Sequence, residues 1–225
     1  MAYKLALCDV DHTLLDFDKA EHAALETTFT AYGIPFTEEN IASYITINNG
    51  QWRALERGET TQAQLRLERW RLFGESLGMA LPVEEVAQRY DLELSHGAYP
   101  LPGAMAFLEA VSARMPVYLV TNGITFIQQG RFERSGFKPY VTRQLVSQEI
   151  GRSKPDPLML FMAMEEAGVK PEETVMLGDK VSSDIQAAIN AGVDSVHLCW
   201  DKPCESCPAT YEAHNLSDAA SFILK

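Results

Sequence analysis

The sequence predicts an α/β fold: a parallel sheet covered by helices on both faces and interrupted near its start by an all-helical insert. Three observations lead there. A single short apolar run opens the chain, residues from about 19 to 96 hold four helix-like segments and no convincing strand, and strands then alternate with helices to the end. With 225 residues, 46% of them hydrophobic, the chain is long enough for one core domain carrying an inserted second one.

The first strand candidate is Lys4–Cys8, which stops abruptly at the acidic cluster Asp9-Val10-Asp11-His12-Thr13. The insert follows, with helices expected over 19–32, 38–57, 60–77 and 83–96. Turn signals at Gly33-Ile34-Pro35, Gly58 and Gly78 separate them, and Thr37 and Thr60 stand where N-caps belong. After Pro100-Leu101-Pro102-Gly103, helix 104–114 precedes strand 117–120, and helix 124–135 precedes strand 143–147. Helix 157–167 precedes strand 174–177, helix 182–191 precedes strand 195–199, and a last helix spans 217–224. Such alternation specifies a Rossmann-like parallel sheet with helices on both faces. The division expected is a catalytic core of residues 1–16 and 98–225 around an insert of residues 17–97, with linkers near 15–18 and 97–102.

Composition narrows the function. Nineteen Lys and Arg against 31 Asp and Glu give a formal charge of -12, which repels a nucleic-acid polymer but admits a small phosphorylated molecule beside a divalent cation. The apolar stretch from Leu5 to Val10, broken by Asp9, is too short for a signal peptide or membrane span, so a cytoplasmic location is expected and no membrane partner. The four cysteines are Cys8, Cys199, Cys204 and Cys207, too few and too clustered for a secreted disulfide framework. Cys204 and Cys207 have the two-residue gap of a zinc knuckle or redox pair, with His197 and His214 nearby in sequence. No second such pair completes a ligand set, and an ordinary surface loop is the expectation.

Three strands end in polar groups: Asp9 and Asp11 after the first, Thr121 and Asn122 after the second, Gly178 and Asp179 after the fourth. Ligands of an open parallel sheet bind at the carboxyl ends of its strands, so these groups converge on one spot. Asp9, Asp11, Asp179 and the nearby Asp184 would repel one another strongly without a hard cation, and Mg²⁺ fits an all-oxygen set. Lys154, in a loop just before a helix, is placed to reach both the carboxylates and a bound phosphate. Two aspartates with Mg²⁺ imply that one attacks phosphorus while the other donates a proton to the leaving alkoxide and later activates water. The metal, Lys154 and Thr121 would stabilise the transferring phosphoryl group.

Asp9-Val10-Asp11-His12-Thr13-Leu14, Val120-Thr121-Asn122-Gly123, Lys154-Pro155 and Gly178-Asp179 through Asp184 resemble the four ordered motifs of haloacid dehalogenase-like phosphatases. The resemblance covers nearly the whole chain. It implies Asp9 as nucleophile, Asp11 as acid/base and, through its carbonyl, a metal ligand. It further implies Thr121 and Lys154 as phosphate binders, Asp179 as a direct metal ligand and Asp184 as its support, with Asn122 and Gly123 beside the substrate. The helical insert resembles that family's cap, expected to close over the site by bending at the two linkers. The segment Tyr44 to Trp52, with Gly58 and the Arg66–Trp70 stretch, is similar to the pyrimidine nucleotidases acting on nucleoside 5'-monophosphates.

In that role Trp52 would stack on a base while Asn48 and Asn49 read its edge; helix packing and capping are their alternative use. Phe17 and Phe126 are expected as pocket walls, and Arg69 and Arg71 as solvated helix charges. A sugar-phosphate or phosphoglycolate phosphatase, a phosphosugar mutase and a non-catalytic binding protein remain as alternatives. Asp11 argues against a haloacid dehalogenase, where a second aspartate in the first motif has no purpose.

Overall fold

The computed structural model describes residues 2–200 and 207–225. Its chain order begins with β1 (Leu5–Cys8) and four helices, α1 (Phe17–Ala31), α2 (Glu38–Glu56), α3 (Gln62–Leu77) and α4 (Val83–His96). Then come α5 (Ala104–Ser112), β2 (Val117–Thr121), α6 (Thr125–Ser135), β3 (Arg143–Val146), α7 (Ser147–Ile150) and α8 (Leu158–Ala167). The chain finishes with β4 (Thr174–Gly178), a π-turn (Val181–Ile185), α9 (Gln186–Ala191), β5 (Asp194–Leu198), β6 (Tyr211–Ala213) and α10 (Leu216–Ile223). The six strands lie in the order β3-β2-β1-β4-β5-β6, every neighbouring pair parallel.

Both faces of the sheet are buried, as a parallel sheet requires. Along β1 the side chains alternate: Ala6 and Cys8 join one apolar cluster with Phe107 of α5 and Leu216 of α10, while Leu5 and Leu7 join another with Met159 of α8 and Ala187 of α9. The four helices from α1 to α4 surround an apolar cluster of their own. Phe29, Tyr44, Trp70, Phe73 and Tyr90 meet there ring to ring, with Tyr44 and Trp70 centroids 4.5 Å apart. Ile124 and Ile127 belong to that cluster, so its apolar surface runs onto α6.

The cap of α3 is Thr61, not Thr60: the Thr61 hydroxyl accepts from the Gln64 amide and Gln64 reaches back to the Thr61 amide, completing a capping box. Thr37 does cap α2. The two linkers run side by side, with Leu15 bridged to Pro100 and the Asp16 amide donating to the Tyr99 carbonyl at 2.8 Å. Strand β6 was not expected from the sequence. It has three residues and lies at the sheet edge beside β5, too short to produce a periodic signal. No helix among the described residues is long and apolar enough to cross a membrane. Cys204 lies outside the described residues.

Candidate active site

Strand register assembles the site. Cys8 of β1 pairs with Leu119 of β2 and with Leu177 of β4, so Asp9, Thr121 and Asp179 leave the sheet together at the carboxyl edge. The Asp9 amide is held by the Leu177 carbonyl at 2.9 Å. Beyond β4 the chain turns sharply enough that a Cβ on Gly178 would fall 2.4 Å from the Asp184 side chain, which excludes any other residue there.

Lys154 is the cation at the centre. Its ammonium donates to Asp9 Oδ1 at 2.5 Å and to the Val120 carbonyl at 2.7 Å, and pairs with Asp184 Oδ1 at 2.7 Å. The Thr13 hydroxyl lies 3.3 Å from both Asp9 Oδ2 and Asp179 Oδ1. Oxygens of Asp9, Asp179 and Asp184 all fall within 4.8 Å of one another. Burial, opposed by Lys154 and reinforced by Asp184, Asp179 and Asp11, pushes Asp9 up to about 8. Burial and Asp184 likewise push Asp179 up to about 7. Burial works against the Lys154 charge, but Asp184 and Asp9 outweigh it and hold the ammonium protonated. Among the described residues these three carboxyls share the Lys154 ammonium, and an all-oxygen donor set of this kind fits a hard divalent ion.

Asp11 stands apart from that cluster. Both its oxygens are taken from α6, Oδ1 by the fully buried Arg131 and Oδ2 by Gln128 Nε2 at 2.7 Å. The third close carboxylate expected alongside Asp9 and Asp179 is therefore Asp184, and Asp11 is left only its carbonyl to offer an ion. Arg131 also donates to the Gly97 carbonyl at 2.9 Å, tying Asp11 to the second linker. Sequence reasoning missed Arg131 and Gln128. They sit one helical turn apart on the helix that starts just after Gly123, so their shared face was the available signal.

Asn122 and Gly123 both line the cavity above the carboxylates, and Asn122 has a second task. Its side chain clamps the Lys154 main chain, accepting from the amide at 2.7 Å and donating to the carbonyl at 2.9 Å. Thr121 is buried and its hydroxyl accepts from the Gly123 amide at 3.2 Å. A Cβ on Gly123 would strike Gln128 at 2.4 Å.

Above these groups lies a cavity of about 200 Å³, walled by Phe17, Asn49, Trp52, Leu94, Ile124 and Ile127. Asn48 does not reach it. The Asn48 amide is buried among the helices, donating to Glu21 at 2.9 Å and accepting from Arg69 at 3.3 Å. Helical spacing turns Asn49 and Trp52 toward the cavity and Asn48 away from it. Arg69 is buried rather than solvated, paired with Asp91 at 3.0 Å at the back of the cavity. Arg71 is the surface charge expected of it, paired with Glu68 and Glu75. Phe126 is exposed and absent from the cavity wall. Polar contacts that run from the inserted helices to the rest of the molecule include Glu56 paired with Lys180, and Gln62 donating to the Asn122 and Gly123 carbonyls at 3.2 Å and to the Ser147 hydroxyl at 2.9 Å.

A sequence profile of haloacid dehalogenase-like hydrolases matches residues 3–192. The chain belongs to that family. Pyrimidine 5'-nucleotidase PynA of Streptococcus pneumoniae is 33% identical over 232 residues, an alignment covering 100% of this chain and 97% of that protein. Pyrimidine 5'-nucleotidase YjjG of Escherichia coli is 32% identical, covering 85% of this chain and 83% of its own. The HAD-hydrolase YfnB of Bacillus subtilis, whose crystal structure holds magnesium, superposes with a TM-score of 0.92 at 30% identity, over 99% of both chains. The chain is thus a hydrolase of a family that generally uses a divalent metal, with phosphatases among its relatives.

Proposed function

We propose that the protein hydrolyses nucleoside 5'-monophosphates, preferentially pyrimidine ones, through an aspartyl-phosphate on Asp9 with Mg²⁺ as cofactor. The observation that carries this reading is Asp9 fixed by Lys154 within a carboxylate cluster, at the floor of a cavity whose upper wall is Trp52. Asp9 and Asp179 would hold the ion directly, with the Asp11 carbonyl, and Asp184 would support it while orienting Lys154. When bound, Mg²⁺ supplies charge neutralisation for the cluster and the phosphoryl oxygens.

Asp9 attacks phosphorus and the ester oxygen departs; Asp11 delivers the proton to that oxygen and later takes one from the attacking water. Its clasp by Arg131 and Gln128 keeps Asp11 beside the cavity, and side-chain rotation brings it to the leaving oxygen. Lys154 and the Thr121 hydroxyl bind phosphoryl oxygens. Residues 17–97 act as a cap bending at the paired linkers, and Glu56–Lys180 and Gln62 hold it against the core while water is excluded.

Trp52 and Asn49 recognise the base. A panel of phosphate monoesters ranked by kcat/KM is expected to put uridine and thymidine monophosphates first; hexose phosphates or phosphoglycolate at the head would overturn the assignment. Stacking on an aromatic side chain contributes about 1–3 kcal/mol per base. Trp52→Ala should therefore lower kcat/KM for uridine monophosphate by roughly 5- to 150-fold while leaving a small aliphatic phosphate nearly unaffected.

The acidic groups also set a pH dependence for the metal. Below pH 7 Asp9 and Asp179, raised to about 8 and about 7, carry protons that an incoming cation must expel. Affinity for Mg²⁺ should accordingly strengthen as pH rises to 8, by about tenfold per unit for each proton displaced. The metal-free protein should show the opposite trend in stability. Carboxyls raised in the folded state stabilise it at acid pH, and that contribution is lost as pH climbs through 7 to 8. Magnesium titrations and melting curves at about pH 6 and about pH 9 measure both; affinity that falls with rising pH would contradict the protonated cluster.

A further inference from the structure

We propose a second metal site at the sheet edge, built by His197, Cys207 and Glu212 and suited to zinc. His197 of β5 and Glu212 of β6 are register partners on adjacent parallel strands, and Cys207 lies on the segment leading into β6. An imidazole nitrogen, a thiol sulfur and a carboxylate oxygen from these three residues all fall within 4.8 Å of one another.

The tautomer of His197 points the same way. His197 is only 6% exposed, and its Nε2 lies 2.9 Å from the Asp179 carbonyl. A carbonyl only accepts, so Nε2 carries the hydrogen and Nδ1 keeps a bare lone pair. That buried Nδ1 has no hydrogen-bond partner among the described residues. An unmatched buried acceptor is costly, and a cation bound there removes the cost. Backbone carbonyl to Nε2–H with the metal on Nδ1 is also how outer contacts orient ligating histidines.

Nitrogen, sulfur and oxygen donors together select a borderline-soft ion such as zinc over magnesium or calcium. Bonds of about 2.0–2.3 Å require ligand atoms somewhat closer than 4.8 Å. Cys207 and Glu212 are half-buried, and binding would draw their ligand atoms in toward the ion. Occupancy would fasten β6 and the chain entering it to β5, and through His197 would steady the main chain at Asp179.

Cobalt tests the site, because a thiolate on Co²⁺ gives a near-ultraviolet charge-transfer band that the oxygen-only catalytic cluster cannot produce. Metal-free wild type and the Asp179→Asn variant should both develop the band, and added Zn²⁺ should abolish it. Cys207→Ser should lose the band while keeping magnesium-dependent turnover, since Cys207 does not line the cavity. Glu212→Gln should keep the band but bind Co²⁺ about tenfold or more weakly. Zinc should also raise the melting temperature of Asp179→Asn but not of Asp179→Asn/Cys207→Ser. No band in wild type, a band undiminished in Cys207→Ser, or unchanged affinity in Glu212→Gln would overturn the proposal. Should Cys207→Ser fail to fold, the wild-type band and the Glu212→Gln affinity decide it.

Discussion

Replacing Asp9 by Asn is expected to lower phosphate release from uridine monophosphate by on the order of 10⁴-fold or more, a barrier increase of about 5.5 kcal/mol or more. The amide keeps the shape of the carboxylate but cannot act as the nucleophile, and no other carboxylate among the described residues of the site is placed to replace it. Asp179 sits beyond Thr13, Asp184 is committed to Lys154, and Asp11 is clasped by α6. The loss should not come from unfolding. Asp9 is pushed up to about 8 by burial, so at neutral pH the metal-free protein already favours an uncharged group there. Its melting temperature without metal should therefore match or exceed that of wild type. Steady-state turnover and thermal melts of the same preparation separate the two effects. Undiminished turnover would remove Asp9 from the nucleophile's role; lost turnover accompanied by a collapsed melt would assign the effect to folding instead.

What made Asp9 legible is the regularity of a parallel sheet. Once short apolar runs alternate with helices, the direction of every strand is fixed, and the residues following each run must meet at one edge. Asp9, Thr121 and Asp179 needed no knowledge of side-chain conformation to be brought together. Lys154 was harder, lying in a loop, and its place came from motif order; the contact to Asp9 then follows from the Asn122 clamp on its main chain.

The side chains that sequence reasoning misjudged within the helices depend on where a helix points them. Asn48 and Asn49 are chemically identical neighbours, yet a rotation of about 100° between them buries one against Glu21 and aims the other at the cavity. Arg69 and Arg71 divide in the same way, one closing a buried pair with Asp91 and the other a surface pair with Glu68. Arg131 looked like any polar residue on an amphipathic helix. Only the crossing of α6 under Asp11 makes it the partner of the proposed acid/base. Edge strand β6 lay below the length at which periodicity carries information, and with it went the adjacency of His197 to Glu212.

Replacing Lys154 by Met is expected to act on stability and activity together, with a pH signature that identifies the cause. The ammonium is 1% exposed and pairs with both Asp9 and Asp184, so truncating it leaves buried carboxyls without their cation. Removing one partner of a buried pair typically costs about 3–5 kcal/mol. Lys154 is the group that draws Asp9 downward against its burial, so without it Asp9 rises further above its ordinary value. A carboxyl raised in the folded state stabilises that state at low pH and ceases to do so as pH rises through its folded value. The metal-free variant should accordingly be nearest to wild type in acid and most destabilised above pH 8. Turnover at saturating magnesium should fall by about 10²- to 10³-fold, because in the proposed mechanism the cation would also face the phosphoryl oxygens as charge develops on them. Melting curves across pH, with turnover of the folded variant, measure both effects. A destabilisation independent of pH would mean that Lys154 supports the fold by packing alone, and unchanged turnover would place it outside the chemistry.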